Sequence, residues 1–403
     1  PVDKPGRVPA LSATSPCIMI LIPNNTARLK LGQARPKLND PADILDQAHR
    51  LTDLKHLAGQ RVEDLAHGPV TLMDDIVPAP VTLPGVDRFA GTRINRLFIP
   101  HPQARRHLVC DRFQDVFLVY QDNRFCIFRK DTIDLRSTAL PGREALRAMA
   151  AGQVSDQGRG AYCGDHFLPG NPAHFVADHL TRALIFRDRV GLPADKIHLP
   201  ESAAPVCTVL QDRIDPRLST LAPGRVHFFS ELNLLSSSRF DRPHGHPFWY
   251  LDPDILALVR AAAQRDFQAS GSKTRRIYLG RTDTARRRML NEAALIDRLQ
   301  ELGVEPVLMS QLSGSGQLAA VHEADLIIAP HGGALLNLIA ARQGTRVIEL
   351  FTPERGTLAF AGLALALGLK YEFQFGQPAA PPEKHDLPWT ADIEALCAAI
   401  GAP

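Results

Sequence analysis

The residues best placed by type and spacing to do chemistry lie in Ala324-Asp-Leu-Ile-Ile-Ala-Pro-His-Gly-Gly-Ala-Leu-Leu-Asn337. The pattern predicts a buried strand ending at Ala329, Pro330 stopping the ladder, a turn at His331-Gly332-Gly333, and a helix from Ala334 to Ala341. Glycine lets backbone approach a ligand closely, and the first amides of a helix are unpaired donors suited to an anion. In an open α/β sheet ligands collect at the carboxyl ends of the strands, so the spacing puts His331 where a diphosphate would sit. The same residues also suit a plain strand-to-helix turn with a solvent-facing histidine. A second cluster follows the strand Arg276 to Leu279: Gly280-Arg281, then Arg286-Arg287-Arg288 and Asn291-Glu292. Arginine at a strand end forks onto phosphate oxygens and neutralises a leaving diphosphate. The alternative is a solvated basic loop, and Arg281 is the favoured member.

A third constellation is the column His174, Asp178 and Arg182, whose spacing of four puts them on one face of a helix. A carboxylate beside an imidazole orients it for proton transfer, so either His174 or Asp178 suits a general base. An amphipathic helix with surface pairs reads the same way. Two lesser signals compete. Phe248-Trp-Tyr-Leu-Asp252-Pro-Asp254 ends in a D-x-D that would hold a divalent metal on a diphosphate, but Pro253 favours Asp252 as a helix cap. His244-Gly-His246 lacks a third ligand at telling spacing. The six cysteines, Cys17, Cys110, Cys126, Cys163, Cys207 and Cys397, form no C-x-x-C pair and are expected as thiols.

The elements that must carry these residues read as follows. Residues 1–85 are proline-rich and weakly patterned, with helical signal only from Pro41 to Ala58, and are expected as an arm wrapped over a domain. A hairpin joins Val116–Tyr120 to Phe125–Phe128 around Asp122-Asn123. Helices are predicted over Gly142–Ala151, His174–Arg189 and Asp252–Phe267, and short strands over Lys196–Leu199, Val206–Leu210 and Val226–Phe229. Residues 268–274 read as a linker. Beyond it the alternation is regular: helices at Asn291–Leu302 and Gly316–Glu323, strands at Val304–Met309 and Arg346–Leu350, and a last helix from Ala391 to Ile400. Repeated β-α units imply a parallel sheet.

A chain of 403 residues with 45% apolar and 22% charged residues is neither disordered nor fibrous. A net charge of +3 does not suggest nucleic acid as the main partner. The longest apolar run, Leu358 to Leu369, is too short to span a bilayer and is expected as a core helix.

Five pieces occur in order: Arg276-Ile-Tyr-Leu-Gly-Arg281; Arg287-Arg288 with Asn291-Glu292; Ala324 through Gly332; Leu336-Asn337; and Gly344-Thr-Arg-Val-Ile-Glu-Leu350. Together they resemble glycosyltransferase family 61, the DUF563 group, strongly over about 275–352 and more weakly from Asn171 to Arg182. The family commonly reads His-Gly-Ala-Gly-Leu-x-Asn, whereas here the second glycine is moved one place, to Gly333. The resemblance implies a GT-B-like α/β fold of two facing Rossmann-like domains behind an irregular N-terminal arm. The arm is 1–85, an acceptor-side domain 86–267, and a donor-binding domain 275–403. It implies an inverting, metal-independent transferase acting without a cofactor on a nucleotide-sugar, UDP-linked, and a saccharide or glycolipid acceptor in surface-polysaccharide assembly. The expected location is the cytoplasm, at the inner face of the membrane, without a membrane span. Arg281, Arg287, His331, Gly332, Gly333, Asn337 and, at the edge, Glu349 are then expected in the donor site, with His174 and Asp178 as catalytic candidates. The rivals are a metal-dependent enzyme using Asp252 and Asp254, and a binding scaffold without turnover.

Overall fold

The computed structural model describes residues 106–401 except 122–123, 130–131, 135–136, 138–142, 165–170, 241–252, 268–274, 284–285, 353–355 and 380–386, together with short pieces between 19 and 95. Its strands include β1 Arg106–Gln121, β2 Arg124–Phe128, β3 Thr132–Asp134, β4 Val154–Tyr162, β5 Ile197–Pro200, β6 Ser219–Leu221 and β7 Val226–Phe240. These join in one sheet of order β6-β5-β4-β7-β1-β2-β3, with Arg61–Glu63 added beside β3 and Val70–Met73 beside β1. From β6 to β7 the pairs are parallel, and from β7 through β1 and β2 to β3 they are antiparallel. The N-terminal sheet is therefore mixed, and only its β6-to-β7 part has the parallel order of a Rossmann-like unit.

The second sheet is parallel throughout: β8 Arg275–Leu279, β9 Glu305–Val307, β10 Ala324–Pro330, β11 Arg346–Phe351 and β12 Lys370–Phe375. Its spatial order is β9-β8-β10-β11-β12. Numbered within the unit this is 2-1-3-4-5, so the chain reverses its direction of travel between β8 and β10. β8 and β10 are buried runs such as Ile277-Tyr-Leu279 and Leu326-Ile-Ile-Ala329, as strands covered on both faces require. The ladder continues through Pro330, paired with Leu350, because the next donor is the His331 amide, which reaches Leu350 O at 2.9 Å.

The helices are α1 Arg143–Ala150, α2 at 172–190, α3 Pro205–Ile214, α4 Pro253–Gln264, α5 Glu292–Glu301, α6 Gly314–His322, α7 Ala359–Ala366 and α8 Ile393–Gly401. A 3₁₀ helix, Gly333–Ala340, follows β10 where an α-helix was expected. The segment Val206–Leu210, expected as a strand, lies inside α3. Pro205 at its first position starts the helix, and Val206 and Leu210, one turn apart, bury the same face.

One apolar core joins the two sheets. It runs from Phe175, Leu180 and Leu184 of α2 through Val206 and Leu210 of α3 and Ile255 and Val259 of α4. It continues into Leu318, Leu335, Ile339 and Leu363 on the C-terminal side. Contact there is close enough that a Cβ at Gly314 would collide with the carbonyl of Pro205. α4 is bound to the C-terminal unit by polar contacts too. Arg260 donates to Leu367 O and Ala341 O, each at 3.3 Å, and Gln264 to Ala340 O and Ala341 O. α5 and α8 cover the other face of the parallel sheet through Leu295, Leu299, Leu396 and Ile400.

Of the N-terminal arm, the expected helix at 41–58 lies outside the described residues. Further on, Leu83 and Phe89 enter the shared core, and Ile94–Asn95 pairs in parallel with Gly356–Thr357. This later stretch therefore reaches the C-terminal unit.

Candidate active site

The site is built where β8 and β10 end, on either side of the reversal in strand order. Arg281 follows β8. Its backbone amide donates to Glu292 Oε1 at 2.6 Å, and that oxygen also accepts from Tyr278 OH at 2.9 Å. Burial and the Glu292 carboxylate push the Tyr278 hydroxyl well above its ordinary value, so it remains a donor. With its backbone so fixed, Arg281 sends Nη1 to the carbonyl of His331 at 2.7 Å and Nη2 to that of Arg286 at 3.2 Å. Arg287 Nη1 reaches the same His331 carbonyl at 3.1 Å. Both arginines expected at the phosphate thus converge on one peptide of the turn.

The two glycines have different neighbours, which gives the local spacing a physical sense. A Cβ at Gly332 would collide with Arg281 Nη1, so only glycine lets the guanidinium approach. Gly332 is extended, at φ 172° and ψ 175°, so space rather than backbone angle makes the demand. At Gly333 a Cβ would stand 3.3 Å from Asn171 Oδ1 and 3.6 Å from Pro172 Cγ. The His331 turn is thereby laid against the first turn of α2.

That end of α2 is well defined. Asn171 caps it through Oδ1 on the Ala173 amide at 3.0 Å, and Pro172 occupies the first position. Two residues on, His174 Nδ1 meets Asp178 Oδ2 at 2.9 Å, confirming the four-residue spacing as a contact. The His174 side chain is 33% exposed and that of Asp178 3%, so the carboxylate stands behind the imidazole. α2 includes π-helical turns at Phe175–Leu180 and Phe186–Val190, and Thr181 Oγ1 donates back to Val176 O at 3.0 Å. Such turns shift side chains off the α-helical stripe and recur at functional sites. Arg182, third of the column, is buried beside Cys163 rather than exposed with His174.

His331 is also held from below. Its Nδ1 lies 2.6 Å from Glu349 Oε1, and Glu349 Oε2 accepts from Tyr371 OH at 2.6 Å. The ring stacks on Phe351, with centroids 5.1 Å apart and planes 23° apart. Glu349, expected to meet ribose hydroxyls, is fully buried with an oxygen on each of these partners, so it faces away from any ligand. Asn337 is buried as well. Its Nδ2 donates to Ala334 O at 3.0 Å, and its Oδ1 has no partner among the described residues. The structure therefore brings Arg281, Arg287, His331, Gly332, Gly333 and His174 to one half-exposed corner, with Asp178, Glu349 and Asn337 beneath it.

Of the rival metal pair, Asp252 lies outside the described residues, and Asp254 is 90% exposed at the start of α4, 4.0 Å from Arg189. His244 and His246 also lie outside them. Sequence reasoning assigned no role to Glu292, Tyr278, Tyr371 or Trp389, although Asn291-Glu292 was among the motif pieces. Trp389 Nε1 donates to Arg287 O at 2.9 Å and its amide to Arg288 O at 3.0 Å, tying the C-terminal segment to the basic loop.

The corner lies at the strand-order reversal of a parallel α/β sheet, the place where sheets of this kind bind their ligands. Comparison with known families narrows this. The model of Glycosyltransferase 61 matches residues 173–348, which span α2 and its base candidates, both arginines and the His331 turn. The chain carries a glycosyltransferase family 61 domain and is a glycosyltransferase. No curated protein matched the chain.

Proposed function

We propose that this glycosyltransferase is inverting and metal-independent, and moves a sugar from a UDP-linked donor to a saccharide or glycolipid hydroxyl in surface-polysaccharide assembly. The observation that supports the reading is the Arg281–His331 contact across the switch point, in a turn laid against the start of α2, the helix that carries the His174–Asp178 pair. The donor diphosphate lies over Gly332 and Gly333 between Arg281, Arg287 and His331. His174, the more exposed of the pair, takes the proton of the acceptor hydroxyl, and Asp178 orients its ring. The acceptor oxygen bonds to the anomeric carbon as the bond from that carbon to the diphosphate oxygen breaks on the opposite face, which inverts configuration.

In this reading 275–403 is the donor half and 86–267 the acceptor half of a GT-B-type pair. The helical core they share argues for capture by local ordering of the corner in place of a wide hinge. The enzyme works in the cytoplasm, at the inner membrane face. Among the described residues no helix is long and apolar enough to cross a membrane.

The test is calorimetric titration with UDP, GDP and CDP, then release of nucleotide from the matching sugar donors, with and without EDTA. Binding of UDP and EDTA-resistant release in the presence of saccharide acceptors are expected. Loss of turnover in EDTA returns the argument to Asp252 and Asp254. Binding without release marks a scaffold.

A further inference from the structure

Beneath the donor corner the parallel sheet buries a chain of three polar side chains. Glu349 of β11 is fully inaccessible. One of its oxygens meets His331 Nδ1 and the other accepts from the Tyr371 hydroxyl on the neighbouring β12, each at 2.6 Å. Tyr371 is pushed well above its ordinary value by burial and by the carboxylate, so the phenol keeps its hydrogen and donates. A carboxylate only accepts, so the single ring hydrogen of neutral His331 sits on Nδ1 and Nε2 carries a lone pair. Nε2 has no partner among the described residues, yet it is not enclosed, and the ring is 12% exposed. Phe351 stacked on one face and Phe360 tilted against the ring at 5.6 Å hold its plane.

The corner therefore presents one fixed acceptor nitrogen among arginine donors. Diphosphate oxygens carry no hydrogen near neutral pH, so a lone pair on Nε2 repels them, and the arginines are left to hold that group. A hydroxyl has the hydrogen that Nε2 needs. The path of the turn says which hydroxyl. The His331 ring leans on Glu349 and Phe351 of β11, whereas Gly333 lies against Asn171 and Pro172 at the start of α2. A diphosphate lying over the two glycines with its sugar toward His174 of α2 sets its nucleoside end toward the His331 ring.

We propose that His331 reads the nucleoside half of the donor: Nε2 accepts a hydrogen bond from a ribose hydroxyl, and Glu349 and Tyr371 are positioning residues that keep this nitrogen free of hydrogen. This rests on the transferase reading given above. It moves the ribose contact expected at Glu349 one side chain outward, and it makes the ligand a ribonucleotide in preference to a deoxyribonucleotide. A ligand without that hydroxyl leaves the lone pair desolvated and without a donor, which is the stronger kind of discrimination a binding site can apply.

The experiment is calorimetric titration of wild type and His331→Phe with UDP, 2′-deoxy-UDP and 3′-deoxy-UDP. Wild type should bind one deoxy analogue roughly three- to tenfold more weakly than UDP, the worth of one neutral hydrogen bond. His331→Phe should bind UDP more weakly and lose that preference, so the cycle of ligand and side-chain changes shows a coupling of the same size. ¹⁵N NMR of histidine-labelled wild type should show Nδ1 protonated, and the bare Nε2 signal should move on adding UDP but not the disfavoured analogue. Glu349→Gln turns an amide N–H toward Nδ1 and should transfer the ring hydrogen to Nε2, which a merely structural role would not do. A folded Glu349→Gln that keeps the hydrogen on Nδ1 overturns the positioning roles. Equal affinity of wild type for UDP and both analogues, or an undiminished preference in folded His331→Phe, overturns the ribose contact. If His331→Phe fails to fold, an Nε2 signal that UDP leaves unmoved does so. Failure of wild type to bind any of UDP, GDP or CDP instead overturns the transferase reading, an outcome read before any analogue or variant is used.

Discussion

Arg281 Nη1 donates to the main-chain carbonyl of His331 at 2.7 Å, so a side chain from the end of β8 fixes a peptide at the end of β10. In a trans peptide the carbonyl and the following N–H point in opposite directions, so turning this carbonyl toward Arg281 turns the Gly332 amide away from it. Gly332→Ala would drive a methyl group into Nη1 and break that arrangement. The variant is expected to fold, because only the end of a flexible side chain must move, but to bind UDP about tenfold more weakly or worse, a loss of about 1.4 kcal/mol. Gly333→Ala meets Asn171 Oδ1 at 3.3 Å and should lose less. Titration of both variants with UDP checks the order; equal affinities would remove Arg281 from the corner.

Arg281 also spans two carbonyls, those of His331 and Arg286, with two nitrogens of one plane. Lysine carries the charge without the fork. Arg281→Lys should therefore behave nearly as Arg281→Ala in UDP binding, both at least several-fold weaker than wild type. A lysine variant that kept wild-type affinity would mean that charge alone matters, and the clamp on His331 would lose its importance.

The chain announces part of this and conceals the rest for physical reasons. β8 and β10 are legible because buried parallel strands are continuous apolar runs, here stopped by Gly280 and by His331-Gly332. The His174–Asp178 contact is legible because helical spacing places it. The Glu349–Tyr371 pair is not, since Tyr371 lies opposite Val347 on the next strand and meets Glu349 only along the diagonal, a relation that needs the register. β4 escapes because Val154-Ser-Asp-Gln-Gly-Arg-Gly160 has little strand propensity and is ordered by β7 beside it. The segment 206–210 misleads because a short apolar run does not tell strand from helix, and Pro205 decides it.

Trp389 should matter to a loop more than 100 residues before it. Arg287 holds the left-handed backbone at φ 52°, which is unfavourable outside glycine, and the Trp389 indole secures it by donating to the Arg287 carbonyl at 2.9 Å. Trp389→Phe retains most of the packed ring and deletes that donor. The expected cost is about 1–2 kcal/mol in unfolding free energy, with a further drop in UDP affinity as Arg287 loosens. Urea denaturation and UDP titration of the one variant separate the two effects. Lost stability with unaltered UDP binding would confine Trp389 to holding the C-terminal segment.

The pH dependence of stability should come in good part from the first sheet, away from the corner. His198 of β5 is 3% exposed, with Nδ1 on Ser219 Oγ and Nε2 without a partner among the described residues. Burial foremost, then the nearby His227 and Lys196, lower it to about 4, with Asp195 opposing. In the unfolded chain the imidazole charges near its ordinary value of about 6.5, so below that pH the unfolded state takes up a proton the folded state refuses. Stability contributed by neutral His198 is therefore present above about pH 6.5 and is lost as pH falls toward about 4. From pH 7 to pH 5 the loss attributable to this group is about 2 kcal/mol. His198→Gln should be less stable than wild type at pH 7 yet lose correspondingly less on acidification, measured as the change in urea midpoint between the two pH values. A variant whose midpoint falls as steeply as that of wild type would show that His198 titrates alike in the folded and unfolded chain, and the acid sensitivity would then have to arise from other groups, with His227, itself lowered by burial, the first to test.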